Sequence, residues 1–379
     1  MPLVTDIRDI AQHHTARRAP RMRFAPVAPA GHSLMRPPLF LLGHAGPALL
    51  RDLAGQTLTP QIGCYTMRDA LVAPTGIPIK HGVAFHGDAF LHPRHLAVAI
   101  ADRLNADPPA MRDIAGPVAV LCGPAHETYG HWLVDFLPRL WVLHQAGHDL
   151  ASLRFVVPAD LTPLGFELLH LCGIPDDRLV RYRHWQELLR VEQLILPTGL
   201  RHGDRFAPQL GLATQFWLAR AGLAAPQHPG PATLFLPRAD GTSRRLVNRA
   251  RIESIAIDHG LTIERPEHLP LPGQIARFAG ARLIVGEYGS ALHNSIFAGA
   301  GAVVCALRGN ARHPSLLQSG LATALRQDVG YVFGGTEGAE ADQAFYIDED
   351  DFRLALALVE LRKVGGNEAI SPKPPSFSL

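Results

Sequence analysis

Ala281-Arg282-Leu283-Ile284-Val285-Gly286-Glu287-Tyr288-Gly289-Ser290-Ala291-Leu292-His293-Asn294-Ser295-Ile296-Phe297-Ala298-Gly299-Ala300-Gly301-Ala302-Val303-Val304-Cys305-Ala306-Leu307 reads as strand, glycine-pinched turn, short helix, strand. The run Leu283 to Val285 is short, apolar and rich in β-branched residues, which suits a strand buried on both faces of a parallel sheet. Gly286 and Gly289 let the chain turn tightly into Ser290, a natural N-cap. A turn of this kind aims backbone N–H groups outward, and the dipole of the following helix favours a phosphate there. A second anion-seeking segment, Pro237-Arg238-Ala239-Asp240-Gly241-Thr242-Ser243-Arg244-Arg245-Leu246-Val247-Asn248, follows the apolar strand Thr233 to Leu236. Guanidinium forks match the geometry of a diphosphate.

Outward from this unit the pattern alternates: strand 233–236, helix 246–259, strand 261–264, helix 271–279, strand 282–286, helix 291–297, strand 302–307. Such alternation predicts a doubly wound sheet, in which ligands bind beyond the carboxyl ends of the strands. Both anion-seeking turns leave from those ends. A last helix is expected over 349–363. In the first half, Val118 to Cys122, Phe155 to Val157 and Val191 to Leu196 read as strands, and Tyr129 to Gln145, Pro163 to Leu171 and Pro208 to Ala221 as helices. That half is therefore also expected to hold a parallel sheet flanked by helices. Between 40 and 90 short apolar pieces broken by Gly and Pro suggest hairpins. The run Ala225-Pro226-Gln227-His228-Pro229-Gly230-Pro231 reads as a linker. With 379 residues, the chain divides into α/β domains over 36–225 and 226–363. Residues 1–35 and 364–379 lack periodicity and are expected to have no fixed structure.

The 36 basic and 34 acidic residues nearly cancel, so no global field recommends nucleic acid as a partner. Cys64, Cys122, Cys172 and Cys305 are scattered without a C-x-x-C pair, and a reduced compartment fits. Neither a signal peptide nor a membrane-spanning stretch is legible, and a soluble cytoplasmic protein is expected. His126-Glu127-Thr128-Tyr129-Gly130-His131 is H-E-x-x-x-H, one residue too long for two metal ligands on one helix face, so no metal is expected.

The segment Tyr129-Gly130-His131-Trp132-Leu133-Val134-Asp135-Phe136-Leu137-Pro138-Arg139-Leu140 places His131, Asp135 and Arg139 on one helical stripe. An imidazole beside a carboxylate is a natural general base; the alternative is a buried structural pair. For the Arg-rich turn the alternative is a solvated helix start. Basic groups at a helix amino terminus oppose the dipole, however, so they call for an anion or for acidic neighbours such as Asp240 and Glu253. The turn at 286–294 could equally be a plain connection, since it lacks G-x-G-x-x-G and the P-loop pattern, and no G-x-S-x-G is present.

In order along the chain, these segments resemble the family-61 glycosyltransferases, a group that includes plant xylosyltransferases, animal protein O-linked N-acetylglucosaminyltransferases and many bacterial capsular or exopolysaccharide proteins. A His-Trp-x-x-Asp-x-x-Pro-Arg-like helix is matched by His131, Trp132, Asp135, Pro138 and Arg139. The Arg and Arg-rich turn ending in Asn are matched by Arg238, Arg244, Arg245 and Asn248, and a Gln in the next helix by Gln274. The Gly-x-x-Gly-x-x-Leu-x-Asn-x-x-Phe turn is matched by Gly286, Gly289, Leu292, Asn294 and Phe297. The chain departs from the pattern at Arg249, where the family usually has Glu, at Tyr288, where it often has His, and at Cys305 and Ala306, near an expected acidic residue.

The resemblance implies a GT-B-like fold, two Rossmann-like doubly wound domains facing across a cleft. It also implies inverting transfer from a nucleotide-diphosphate sugar, without cofactor or metal, to a glycan or lipid-linked acceptor. On this reading His131 and Asp135 are the catalytic pair. Arg238, Arg244, Arg245, Gly289 and Ser290 hold the donor diphosphate, and Asn248, Glu287, Tyr288 and Asn294 the nucleotide or sugar. Bacterial polysaccharide assembly and a cytoplasmic site, with peripheral recruitment to the inner membrane by a lipid-linked acceptor, are the implied setting. The rival expectations are another sugar-nucleotide enzyme of the same architecture, or a non-catalytic glycan-binding or scaffold protein.

Overall fold

The computed structural model describes residues 3–6, 22–45, 47–55, 57–73, 75–80, 83–86, 110–123, 125–183, 186–223, 226, 228–239, 244–310, 316–336 and 344–365. The elements before residue 110 are β1 (Leu3–Asp6), β2 (Met22–Ala28), β3 (Gly31–Ser33), β4 (Leu41–Gly43), α1 (Pro47–Ala54), β5 (Thr57–Thr59), β6 (Ile62–Val72), β7 (Pro78–Lys80) and β8 (Val83–His86). The middle of the chain forms β9 (Ala110–Val120), the helical stretch α2 (129–145), β10 (Arg154–Pro158), α3 (Pro163–Leu171), β11 (Leu179–Tyr182), β12 (Glu187–Pro197), the hairpin β13 (Arg201–His202) and β14 (Arg205–Phe206), and α4 (Leu210–Arg220). Beyond it lie β15 (Ala232–Leu236), α5 (Arg249–Asp258), β16 (Thr262–Ile263), α6 (Leu271–Ala279), β17 (Ala281–Glu287), a 3-10 helix (Ser290–Phe297), β18 (Val303–Gly309), α7 (Leu317–Leu325), β19 (Asp328–Thr336), β20 (Phe345–Tyr346) and α8 (Glu349–Gly365).

The second sheet has the order β16-β15-β17-β18-β19-β20, in which β16, β15, β17, β18 and β19 are mutually parallel and β20 runs antiparallel to β19. This is the Rossmann-like α/β unit expected from the alternation, and its helices follow from residue spacing. In α6, Leu271, Ile275 and Phe278 fall on one face and are all buried. Burying each such side chain contributes roughly 1.5–3 kcal/mol. The expected helix over 291–297 is instead a 3-10 helix that begins at Ser290, with Gly289 as its capping residue.

The first sheet is mixed: the strands after residue 110 form the expected parallel set, and antiparallel pieces of the kind expected between 40 and 90 join the same sheet. Strands β12, β9, β10 and β11 are parallel, but β6 runs antiparallel to β12, β2 and β7. The reason is chain length: β6 reaches β7 through a tight turn closed by Ala73 N–H to Ile77 O at 2.7 Å, and so short a connection can only join antiparallel strands. Part of the 1–35 segment, expected to be without fixed structure, also joins this sheet. Met22–Ala28 pairs with β6, and Phe24 lies against Tyr65 with ring centroids 4.6 Å apart. At the other end α8 runs to Gly365, and 366–379 fall outside the described residues.

The two sheets are stitched together rather than merely adjacent. Strand β4, from the first part of the chain, pairs in parallel with β19 of the second sheet. The Leu39 N–H donates to Val329 O and the Tyr331 N–H to Phe40 O. One apolar cluster also runs from β9 and α2 through α4 to the 3-10 helix, β17 and α7, with Trp217 edge-on to Phe297 at 5.7 Å. Among the described residues no helix is long and apolar enough to cross a membrane.

Stretch α2 is not a plain helix. Residues Trp132–Phe136 form a π-turn, closed by Leu137 N–H to Trp132 O at 2.9 Å. Pro138 has no N–H to donate to Val134 and its ring would crowd that carbonyl, so a widened turn relieves the conflict.

Candidate functional site

A cavity of about 350 Å³ opens at the carboxyl ends of β15, β16 and β17. In the order β16-β15-β17 the chain winds outward from β15 to β16 and then crosses back to β17. The cavity therefore occupies the switch point at which open α/β sheets bind ligands. Its walls include Arg238, Glu287, Gly289, Ser290 and Asn294 from the second sheet, and Tyr129 from α2 across from them.

Glu287 ends β17 with its side chain fully buried, and its carboxylate is consumed by the neighbouring loop. It accepts the backbone N–H groups of Arg238 (3.0 Å) and Leu246 (3.1 Å) and the Arg249 guanidinium through Nε (2.8 Å) and Nη2 (3.4 Å). Arg249, which departs from the family pattern, is thus the guanidinium that neutralises Glu287. Among the other Arg-rich residues, Arg251 pairs with Glu349 at 3.0 Å, and Glu253 pairs with Arg265 at 3.7 Å. Asp240 lies outside the described residues.

With its loop so anchored, Arg238 crosses the turn after β17, donating through Nη1 to Tyr288 O at 2.9 Å. A methyl group at Gly289 would sit 2.3 Å from that nitrogen, so a side chain there would displace the guanidinium from this position. Beyond Gly289 the first turn of the 3-10 helix begins at Ser290 with no side chain capping it, and a helix start leaves its first backbone N–H groups without intrahelical partners.

The remaining second-sheet candidates are dispersed. Asn294 is buried, accepting the Tyr129 hydroxyl on Oδ1 at 2.7 Å and donating to Ala291 O at 3.0 Å. Asn248 spends its amide on the backbone of Ile347 and does not line the cavity. Arg245 is exposed and Arg244 half-buried in a left-handed conformation (φ 60°); neither lines the cavity. Tyr288 turns the other way, its ring 5.0 Å from the Arg308 guanidinium, and burial pushes its phenol up to about 12.

On α2 the imidazole and carboxylate do meet. His131 Nδ1 lies 2.6 Å from Asp135 Oδ2, and Arg201 Nη1 donates to the same oxygen at 3.0 Å. Burial alone would raise the Asp135 pKa, but Arg201, the hydrogen bond and charge of His131, and Arg139 outweigh it and hold the carboxyl at about 2. A carboxylate so firmly charged can only accept, so Nδ1 of His131 carries the hydrogen between them, and a neutral ring in this pairing has its lone pair on Nε2. Arg139, on the same stripe, instead donates to Leu121 O at 3.1 Å and lies over the Phe136 ring.

Arg201 and His293 complete this group and were not legible as site residues. Arg201 comes from the β13–β14 hairpin, far from Asp135 in sequence and in no local motif. His293 sits within the decisive stretch, but its place depends on Gly130: a methyl there would lie 2.3 Å from His293 Nδ1 and 3.1 Å from Ser290 Oγ. Burial, reinforced by His131 and Arg201, pushes the His293 pKa down to about 3, so its ring is neutral. Gly130 therefore joins the His131 side of the site to the Ser290 side.

Residues 129–305 match the family described as Glycosyltransferase 61. That span runs from the cavity-lining Tyr129 into β18 and contains His131, Asp135, Arg201, Arg238 and the Gly289–Asn294 turn. The match supports a family-61 glycosyltransferase, and glycosyl transfer as the general activity. No curated protein matches the chain.

Proposed function

We propose that the protein is an inverting glycosyltransferase that needs no metal for the transfer step, moving a sugar from a nucleotide-diphosphate donor to a hydroxyl of a glycan or lipid-linked acceptor in polysaccharide biosynthesis. The observation that carries this reading is the Arg238 guanidinium laid across Gly289 at the mouth of the Ser290 turn, inside a cavity at the sheet's switch point. A guanidinium and a set of open backbone N–H groups on one wall suit a diphosphate. They oppose the charge that grows on it as the sugar departs, and a donor of this type is worth about 10²–10³ in rate.

In the transfer step the acceptor oxygen bonds to the anomeric carbon as the bond from that carbon to the diphosphate oxygen breaks. The hydroxyl proton passes to Nε2 of His131, and Asp135 stabilises the imidazolium that results. Arg201 keeps Asp135 ionised, so that it orients the ring and does not take up the proton. GT-B-like facing of the two halves is consistent with a cavity walled by both. A lipid-linked acceptor would draw the protein to the inner face of the membrane.

The test is a thermal-shift screen with UDP-, GDP- and dTDP-sugars, followed by mass spectrometry of products with the donor that binds. One donor class should raise the melting temperature of the native protein and of Asp135→Ala but not of Arg238→Ala, and Asp135→Ala should yield little product. If no donor shifts the native protein, the glycan-binding or scaffold reading replaces this one.

A further inference from the structure

The geometry points to a divalent-cation site formed by His126, Glu127 and Asp160, at the carboxyl ends of β9 and β10 and separate from the transfer step. His126 and Glu127 lie in the loop that leaves β9, and Asp160 lies two residues past Pro158, the end of β10. These strands are parallel neighbours, so both loops emerge at the same edge of the first sheet. One ligand atom from each residue comes within 4.8 Å of the other two.

Three features favour a shared cation over a plain ion pair. His126 Nε2 stands 3.6 Å from Asp160 Oδ1, too far for a hydrogen bond. Metal bonds of about 2.1 Å at a tetrahedral angle place two donors about 3.4 Å apart, close to that separation. Second, the imidazole is buried, with only 3% of its side chain exposed, and the main chain that carries it is held by the His126 carbonyl accepting the Trp132 indole N–H at 2.7 Å. Third, the two carboxylates are exposed, so they can close on an ion while water fills its outer positions. One imidazole nitrogen with two carboxylate oxygens suits Zn²⁺ or Mn²⁺.

The spacing His126-x-x-x-x-His131 cannot place both imidazoles on one helix face, and His131 is engaged with Asp135. The third ligand comes instead from a neighbouring strand end, which no local motif reveals. Two residues past Glu127 the same loop becomes Tyr129, whose hydroxyl holds Asn294 in the cavity wall. A cation here would brace the first-sheet side of that wall, and the site holds whether or not the transfer reading is right.

The experiment is isothermal titration of the full-length protein, stripped with EDTA and exchanged into metal-free buffer, with Zn²⁺ and in parallel with Mn²⁺. One equivalent of either ion should bind above the weak background expected from 20 histidines. Asp160→Asn and Glu127→Gln should each weaken that equivalent at least tenfold, whereas His268→Gln, at the exposed end of the short 3-10 helix Pro266–His268, should leave it unchanged. His126→Gln should abolish it, but the ring is buried, so the two exposed carboxylates carry the decision. The proposal is overturned if neither ion binds above background, or if Asp160→Asn and Glu127→Gln bind like the native protein.

Discussion

The Tyr129 hydroxyl donates to Oδ1 of Asn294 across 2.7 Å, joining the first residue of α2 to the 3-10 helix that carries Ser290 and His293. Asn294 is fully buried, so Tyr129→Phe leaves a desolvated acceptor without its donor. The expected cost is about 1–3 kcal/mol, seen as a melting temperature lowered by several degrees. Asn294→Ala also gives up the bond to Ala291 O and should cost more than Tyr129→Phe, while a double-mutant cycle between the two should return a coupling of at least ~0.5 kcal/mol.

Gly289→Ala forces a methyl into the space of Arg238 Nη1. Donor affinity should fall by about 10–100-fold, equivalent to roughly 1.4–2.8 kcal/mol, with little change in melting temperature. Titration of Arg238→Ala and of the double variant checks the cause: in the absence of the guanidinium, Gly289→Ala should do almost nothing more.

Gly130→Ala drives a methyl against His293 Nδ1 and Ser290 Oγ. Turnover should drop at least about tenfold, since small displacements of oriented groups are costly in rate. Adding His293→Ala should restore part of the loss, measured as initial rate at saturating donor.

Asp135 titrates at about 2 in the folded protein against an ordinary 3.8. A depressed carboxyl stabilises the fold above its unfolded pKa, and that contribution, on the order of 2 kcal/mol, is lost as pH falls toward the folded value. Between about pH 5 and 2, urea midpoints of the native protein should fall more steeply than those of Asp135→Asn. The same variant cannot hold the Nδ1–H tautomer of His131 and should lose about 10²–10⁴ in turnover at neutral pH.

The second sheet was legible because its local and global signals agree. Leu271, Ile275 and Phe278 mark one helical face, and Gly280 stands at the end of that helix. The first sheet was harder to read because pairing direction is not written in apolar periodicity: β6 and β12 have the same composition whether they run parallel or antiparallel. The His131–Asp135 pair follows from i, i+4 spacing. Its π-turn, however, arises from Pro138 acting on the turn before it, and Arg201 reaches Asp135 only through tertiary folding. Asn248 matches the motif that carries the family likeness and Tyr288 stands within it in place of the usual His, yet one serves the backbone at Ile347 and the other packs beneath Arg308. Motif spacing identifies a segment but does not say which way each side chain turns.

Strand β4 has a mechanical consequence. Leu41–Gly43 is zipped to Tyr331–Phe333 and the Phe40 ring is lodged against Gly330, so this early piece of the chain is carried by the second sheet. A truncated chain starting past residue 43 should also expose a raw β19 margin and self-associate.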